Sequence, residues 1–141
     1  MEYRNSYIEF GGIYFWTATI NNWYQLLDNN ELKEIILQSL KYLVDNELVK
    51  VYAFVIMPNH IHFVWQLLKM NGKEKPSGSF LKYTAHKFRK YLLEKKPNEL
   101  EKFKVKASNK EHEFWQRDPF SFELTKRATA WQKIDYIHNN P

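Results

Sequence analysis

The stretch that decides the fold is Met57-Pro58-Asn59-His60-Ile61-His62-Phe63-Val64-Trp65-Gln66-Leu67. Residues 49–57 and 60–67 are both rich in β-branched and aromatic side chains, which favour strands. Pro58-Asn59 between them is a turn signal. Two strands joined by so short a turn pair with each other in antiparallel fashion. The stretch therefore predicts a β-hairpin.

The second strand of this hairpin has two chemically different faces. Alternate side chains of a strand point to the same side, so one face carries only the apolar residues Ile61, Phe63, Trp65 and Leu67. This face must pack on the core. The other face carries His60 and His62, about 6.6 Å apart by strand rise. We expect both imidazoles on the side of the sheet away from that core, on a central strand.

The elements predicted around the hairpin complete an α+β domain. In chain order they are a strand at 13–20, a helix from Asp28-Asn29-Asn30 to about Asp45-Asn46, the hairpin, a helix at 80–95, an irregular lysine-rich segment at 97–113, short strands at 113–117 and 121–124, and a helix at 126–140. This order is that of a ferredoxin-like antiparallel sheet with helices packed on one face.

Length and composition set the class of protein. The 141 residues predict one domain spanning 1–141, and the absence of cysteine excludes disulfides and thiolate zinc sites. The sequence has neither a signal peptide nor an apolar run long enough for a membrane span, so we expect a cytoplasmic protein with no membrane partner. Because the sequence stops at Pro141, directly after a helical pattern, we expect the natural protein to continue.

The middle of the chain is strongly basic. Residues 69–110 hold 13 Lys or Arg and 4 Asp or Glu, whereas the remainder of the chain has an acidic excess. Within the second predicted helix, tyrosines Tyr83 and Tyr91 alternate with basic residues, a pattern suited to phosphate contacts and base stacking. The candidate DNA-binding residues are Lys82, His86, Lys87, Arg89 and Lys90. The alternative is a solvated face of an amphipathic helix.

His60 and His62 are the candidate metal ligands. Two imidazoles on one face of a strand can share a metal ion, and with oxygen ligands they would suit Mg²⁺ or Mn²⁺ at a phosphate. Without cysteines, a structural zinc site is disfavoured. The alternative is a pair of surface histidines without a ligand.

The last predicted helix carries a candidate nucleophile. Its apolar stripe is Ala130, Ile134 and Ile137, which we expect to pack on the sheet, and helical phase takes Tyr136 off that stripe. Asn140 lies one turn after Tyr136 and could supply a metal-binding oxygen. A tyrosine hydroxyl can attack phosphorus when a cation polarises the phosphate. The alternative is a tyrosine that only packs at the edge of the core.

Three motifs together resemble those of a known family. They are Met57-Pro58-Asn59-His60-Ile61-His62, Phe114-Trp115-Gln116-Arg117 and Asp135-Tyr136-Ile137-His138-Asn139-Asn140-Pro141. In this order and spacing, they resemble the single-tyrosine transposases with a His-hydrophobic-His (HUH) motif, and within them the REP-associated tyrosine transposases. The resemblance extends from Tyr14-Phe15-Trp16 to the end of the chain.

The resemblance implies a mechanism and the role of each residue. It assigns the metal ligands to His60, His62 and Asn140, the nucleophile to Tyr136 on the C-terminal helix, and the cofactor to Mg²⁺ or Mn²⁺. Members of the family cut single-stranded DNA beside hairpins and form a 5′-phosphotyrosine bond. Some relatives are dimers in which the tyrosine helix serves the partner's histidines, so a homodimer is one expectation. No residue is assignable as the base for the tyrosine proton.

Two other functions fit the same motifs. One is a catalytically inactive relative that binds hairpin DNA or RNA as a regulator. The other is a replication initiator, which the short chain disfavours because no ATPase domain accompanies it. A covalent protein–DNA adduct would separate an active transposase from an inactive binder, whereas a binding assay would not.

Overall fold

A computed structural model describes residues 8–107 and 110–124, together with Ile134 and Ile137. The main elements within these ranges are β1 (Ile13–Thr19), α1 (Asn30–Asp45), β2 (Val49–Met57), β3 (His60–Leu67), α2 (Pro76–Lys95), α3 (Pro97–Leu100), β4 (Lys104–Ala107), β5 (Lys110–His112) and β6 (Phe120–Glu123). Three short 3₁₀ turns lie at Asn21–Trp23, Leu26–Asp28 and Glu101–Phe103. No helix in the described part is long and apolar enough to cross a membrane.

One sheet organises the domain. Its strand order is β2-β3-β1-β6, and each neighbouring pair is antiparallel. The predicted hairpin is therefore present, with β3 in the interior of the sheet. The α+β architecture and the antiparallel sheet are confirmed.

Each face of the sheet has its own apolar cluster. On one face, Ile61, Phe63 and Trp65 of β3 pack with apolar residues of α1 and α2. On the other face, Val64 of β3 packs with Ile137 and with further apolar side chains from β1 and β2. The alternation predicted for β3 is confirmed, and the predicted contact of the last apolar stripe with the sheet is confirmed at Ile134 and Ile137.

Local capping explains where the two long helices begin. The side chain of Asn29 accepts hydrogen bonds from the backbone N–H groups of Glu31 and Leu32 at 2.8 and 3.4 Å, so α1 begins as predicted. The prediction that the second helix begins at Phe80 is wrong, because α2 begins at Pro76. Proline suits the first helical position, where its missing N–H costs nothing.

The segment after α2 also differs from the prediction. Instead of an irregular run over 97–113, it contains α3, a 3₁₀ turn and the β4–β5 pair. Pro97 starts α3, and the buried side chains of Leu100 and Phe103 anchor the segment on the core.

The predicted strand at 113–117 is reduced to one isolated bridge between Trp115 and Ile20. A strand would send consecutive side chains to opposite faces, but Phe114 and Trp115 are both buried in the same cluster. The indole Nε1 of Trp115 donates a 2.9 Å hydrogen bond to Thr84 Oγ1 of α2. Packing of Trp115 against α2 accompanies a strand pairing that is limited here to this single bridge.

Candidate functional site: the histidine pair

His60 and His62 lie on the face of β3 opposite α1 and α2, as predicted. Their ring centroids are 4.7 Å apart with an interplanar angle of 74°. His60 is half-buried, and His62 is 8% exposed. The pair therefore forms a compact, partly desolvated group of imidazoles rather than two independent surface histidines.

A threonine of the neighbouring strand fixes His62. Thr17 lies directly opposite His62 in the β1–β3 register, and Thr17 Oγ1 is 2.8 Å from His62 Nδ1. The ring of Phe15 stacks on His62 with centroids 5.1 Å apart and an angle of 30°. When the hydroxyl accepts the hydrogen bond, Nδ1 holds the proton and Nε2 holds the lone pair. The strand pairing thus orients the imidazole.

Asn59 fixes His60 from the hairpin turn. Its Oδ1 atom lies 2.7 Å from His60 Nδ1. With this amide oxygen as acceptor, Nδ1 carries the proton and Nε2 carries the lone pair. The turn itself is held by hydrogen bonds from the backbone N–H of Ile20 to the carbonyl of Asn59 and from that of Leu27 to the carbonyl of Pro58, both 2.8 Å.

Burial also affects the protonation of the pair. Desolvation lowers the pKa of His60 below its ordinary value of 6.5, because burial penalises the charged imidazolium. The neutral form of His60 is therefore favoured at neutral pH. A neutral imidazole is the form that can donate a lone pair to a cation.

The chemistry of the pair fits two ligands of a divalent cation. Both rings lie on one face, and both have an Nδ1 partner of the kind that orients metal-binding histidines. Within the described residues, no group of three His, Cys, Asp or Glu side chains lies close enough to hold a metal ion. The predicted oxygen ligand Asn140 and the predicted nucleophile Tyr136 lie outside the described residues.

The described part of the last predicted helix nevertheless approaches the histidine face. Ile137 is 2% exposed and belongs to the same cluster as Phe15, the residue that stacks on His62. Ile134 packs against the edge of this cluster. The chain therefore lies on the histidine side of the sheet at both of these described positions.

The basic helix lies on the other side of the sheet. α2 packs on the core through Phe80, Thr84, Phe88 and Leu92, in the cluster opposite the histidines. Its five candidate DNA-binding residues are exposed or half-buried on the outer surface of α2 and do not surround the histidine pair: Lys82, His86, Lys87, Arg89 and Lys90. Lys82 also pairs with Glu74 at 3.4 Å.

The two tyrosines of α2 have different surroundings. Tyr83 is exposed, and the Lys87 amine lies 5.5 Å from the centre of its ring. Tyr91 is half-buried and its hydroxyl accepts a 3.2 Å hydrogen bond from Asn29 Nδ2 at the start of α1. Tyr91 thus packs between the helices, and only Tyr83 fits the predicted stacking role.

The solved structures that are similar to this chain include the following two. One is a REP-associated tyrosine transposase bound to a REP hairpin; it has a TM-score of 0.63 and 20% sequence identity, and the match covers 100% of this chain and 72% of that chain. The other is a candidate transposase of Deinococcus radiodurans, with a TM-score of 0.48 and 15% identity over 99% of this chain and 97% of that chain. No protein-family model and no curated protein matches the sequence. The first likeness confirms the predicted fold.

Proposed function

We propose that this chain is a REP-associated tyrosine transposase, a metal-dependent endonuclease that cuts and rejoins single-stranded DNA beside hairpins. The solved structure that shares its fold at a TM-score of 0.63 is bound to a REP hairpin. The histidine pair and the basic surface of α2 supply the cation ligands and the polyanion contacts that this activity needs. The proposal includes a cytoplasmic location and assembly as a homodimer.

The observation that carries the proposal is the packing of Ile137 in the cluster beside His62. Tyr136 is the preceding residue in the sequence. Consecutive residues of a helix point about 100° apart, so the sequence predicts that Tyr136 does not share the core-facing stripe of Ile137. Phosphotyrosine chemistry requires a tyrosine hydroxyl within reach of the phosphate that a histidine-bound cation would hold.

The histidine pair would hold Mg²⁺ or Mn²⁺ together with Asn140. A divalent cation held there would supply Lewis-acid chemistry, drawing charge from the scissile phosphate and stabilising the charge that develops in the transition state. Thr17 and Asn59 orient the two imidazoles, and burial keeps His60 in its neutral form. The ring of Phe15, which belongs to the apolar cluster on this face, stacks on His62.

In the proposed reaction, Tyr136 Oη attacks the scissile phosphorus. A bond forms between this oxygen and phosphorus, the bond from phosphorus to the 3′ oxygen breaks, and the phenolic proton balances the departing 3′-hydroxyl. The product is a 5′-phosphotyrosine linkage and a free 3′ end. Attack of a 3′-hydroxyl on the same linkage reverses the step and rejoins DNA.

A covalent-adduct experiment tests the proposal. The full chain is incubated with a single-stranded hairpin oligonucleotide and Mn²⁺, and the products are separated under denaturing conditions and weighed by mass spectrometry. We expect an adduct whose mass is that of the protein plus the 3′ fragment of the cleaved strand. Tyr136→Phe should lose the adduct and retain hairpin binding.

Two outcomes would contradict the proposal. An adduct that survives Tyr136→Phe places the nucleophile elsewhere, for which Tyr83→Phe on the opposite side of the sheet is the matched control. Hairpin binding by the wild-type chain with no adduct under any divalent cation supports the inactive regulator instead.

A further inference from the structure

An exposed aromatic pair follows β1 at the end of the sheet where His60 lies. Trp23 is 59% exposed, and Tyr24 beside it is at the margin of exposure. Large aromatic side chains are normally among the best-buried residues of a domain, since they contribute the most apolar surface. An exposed Trp-Tyr pair therefore indicates a contact surface rather than a part of the core.

The backbone is strained where it presents Trp23. Asn22 and Trp23 have φ angles of 59° and 60°, which place both residues in the left-handed region. Asparagine tolerates this region, but for a bulky residue it costs free energy that the surrounding structure must offset. Such strain concentrates at binding and catalytic sites. Here the strained residue is the one with an exposed indole.

Firm contacts at both ends hold the loop in place. Before it, the N–H of Asn21 donates to the carbonyl of Phe114 at 2.7 Å. After it, Leu26 and Leu27 are buried in the main core. The position of Trp23 is therefore fixed by the fold.

A lysine side chain lies beside the pair. The amine of Lys102 lies 5.7 Å from the centre of the Tyr24 ring, and that ring meets Phe103 edge-on at 5.3 Å. Lys104 is also exposed on the same segment. Aromatic rings beside lysines form the usual combination for single-stranded nucleic acids, in which bases stack and phosphates meet the amines.

The distance to the histidine pair suits one short stretch of DNA. Thr19 lies directly opposite His60 in the β1–β3 register. Trp23 is four residues further along, and four residues span at most about 14 Å. The backbone of Trp23 therefore lies within about 14 Å of the strand position opposite His60, a distance that a few nucleotides of single-stranded DNA can span.

We infer that Trp23, supported by Tyr24 and Lys102, stacks on an unpaired base of the single-stranded DNA that leads to the histidine site. This inference rests on the proposed function for the identity of the nucleic acid. The proposed base contact lies at the same end of the sheet as His60 and is separate from the basic surface of α2. The contact is with a base rather than a phosphate, so it adds affinity for single strands without adding to the salt dependence of binding.

Binding measurements with two oligonucleotides test the inference. One probe is a DNA hairpin with a short single-stranded extension, and the other is the same hairpin with no extension. Trp23→Ala should weaken binding of the extended hairpin about tenfold and leave the slope of affinity against salt unchanged. It should not change binding of the hairpin without an extension. Trp23→Phe should restore most of the affinity, because any aromatic ring can stack.

The backbone strain supplies controls for folding. Glycine adopts a φ of 60° without steric strain, so Trp23→Gly should raise the thermal midpoint of unfolding. The same variant should weaken binding of the extended hairpin as Trp23→Ala does. Asn22→Gly changes the neighbouring left-handed residue and should leave binding intact. Tyr42→Ala removes a tyrosine that is 55% exposed on α1 and should bind both probes like the wild type.

The inference and the proposed function fail in different ways. If Trp23→Ala binds the extended hairpin as tightly as the wild type while the covalent adduct still forms, the stacking site is wrong and the proposed function stands. Equal weakening on both probes would also overturn the stacking site, since it would place Trp23 against the duplex. If extended hairpins depend on Trp23 but no adduct forms, the proposed function fails and the stacking site stands.

Discussion

Thr17 Oγ1 lies 2.8 Å from His62 Nδ1, although the two residues are 45 positions apart in the chain. The contact exists because β1 and β3 pair in a register that sets Thr17 opposite His62. It is a hydrogen bond of the kind that orients metal-binding imidazoles. Thr17 thus belongs to the candidate site even though it is not a proposed ligand.

Removing this hydroxyl should weaken cation binding. Thr17→Val keeps the β-branched shape but removes the partner of His62 Nδ1, and removal of such a partner typically lowers metal affinity about 10- to 100-fold. Thr17→Ser retains the hydroxyl and should bind Mn²⁺ like the wild type. Titration calorimetry with Mn²⁺ in the presence of hairpin DNA measures the difference. Equal affinities for the valine and serine variants would remove Thr17 from the site.

Replacing the histidines should separate cutting from binding. We expect the variant that combines His60→Ala and His62→Ala to lose adduct formation and to retain hairpin binding, because the exposed lysines of α2 lie on the opposite side of the sheet. Circular dichroism checks that the variant is folded, since His62 is packed against Phe15. Normal cleavage by the double variant would disprove the metal assignment.

The contact of Ile137 with the sheet should matter for activity. Truncating a buried isoleucine to alanine typically costs about 2–5 kcal/mol, and here the destabilisation falls on the cluster beside His62. Ile137→Ala should therefore reduce the yield of adduct more than it reduces hairpin binding. Ile36→Ala in α1 is the matched control, because it truncates a buried isoleucine of the other cluster. If both variants affect the adduct equally, the effect is one of general stability.

The surface of α2 should contribute salt-dependent affinity. Removing one Lys or Arg that binds a DNA phosphate lowers the slope of log affinity against log salt by about one unit. Replacing Lys82, Lys87, Arg89 and Lys90 together with serine should weaken DNA binding and flatten this slope. Lys33→Ser and Lys41→Ser on α1 provide a control of the same charge type. A slope identical to that of the wild type would mean that the basic helix is only a solvated face.

The hydrogen bond between Trp115 and Thr84 should contribute to stability. Thr84→Val leaves the buried indole N–H without its acceptor, a change that costs about 1–3 kcal/mol. Thr84→Ser keeps the hydroxyl and should cost less. Chemical denaturation of the two variants measures the difference. No difference between them would show that the indole N–H finds another acceptor.

The sequence by itself determined the hairpin and the placement of both histidines on one face. The period of two along 60–67 is a local property of the chain, and an apolar set on alternate positions can satisfy only one buried face. The N-cap of α1 at Asn29 is likewise a local hydrogen-bonding choice. These features require no knowledge of distant residues, so they could be predicted.

Only the tertiary structure decided what surrounds those histidines. The register of β1 against β3 selects Thr17 and Phe15 as neighbours of His62, and the packing of α2 on the opposite face separates the basic helix from the pair. The side chains of Phe114 and Trp115 are buried in the same cluster and do not alternate between two faces, so the strand predicted there is not formed beyond one bridge. Each of these outcomes depends on contacts between segments far apart in sequence, and local periodicity carries no information about which segments meet.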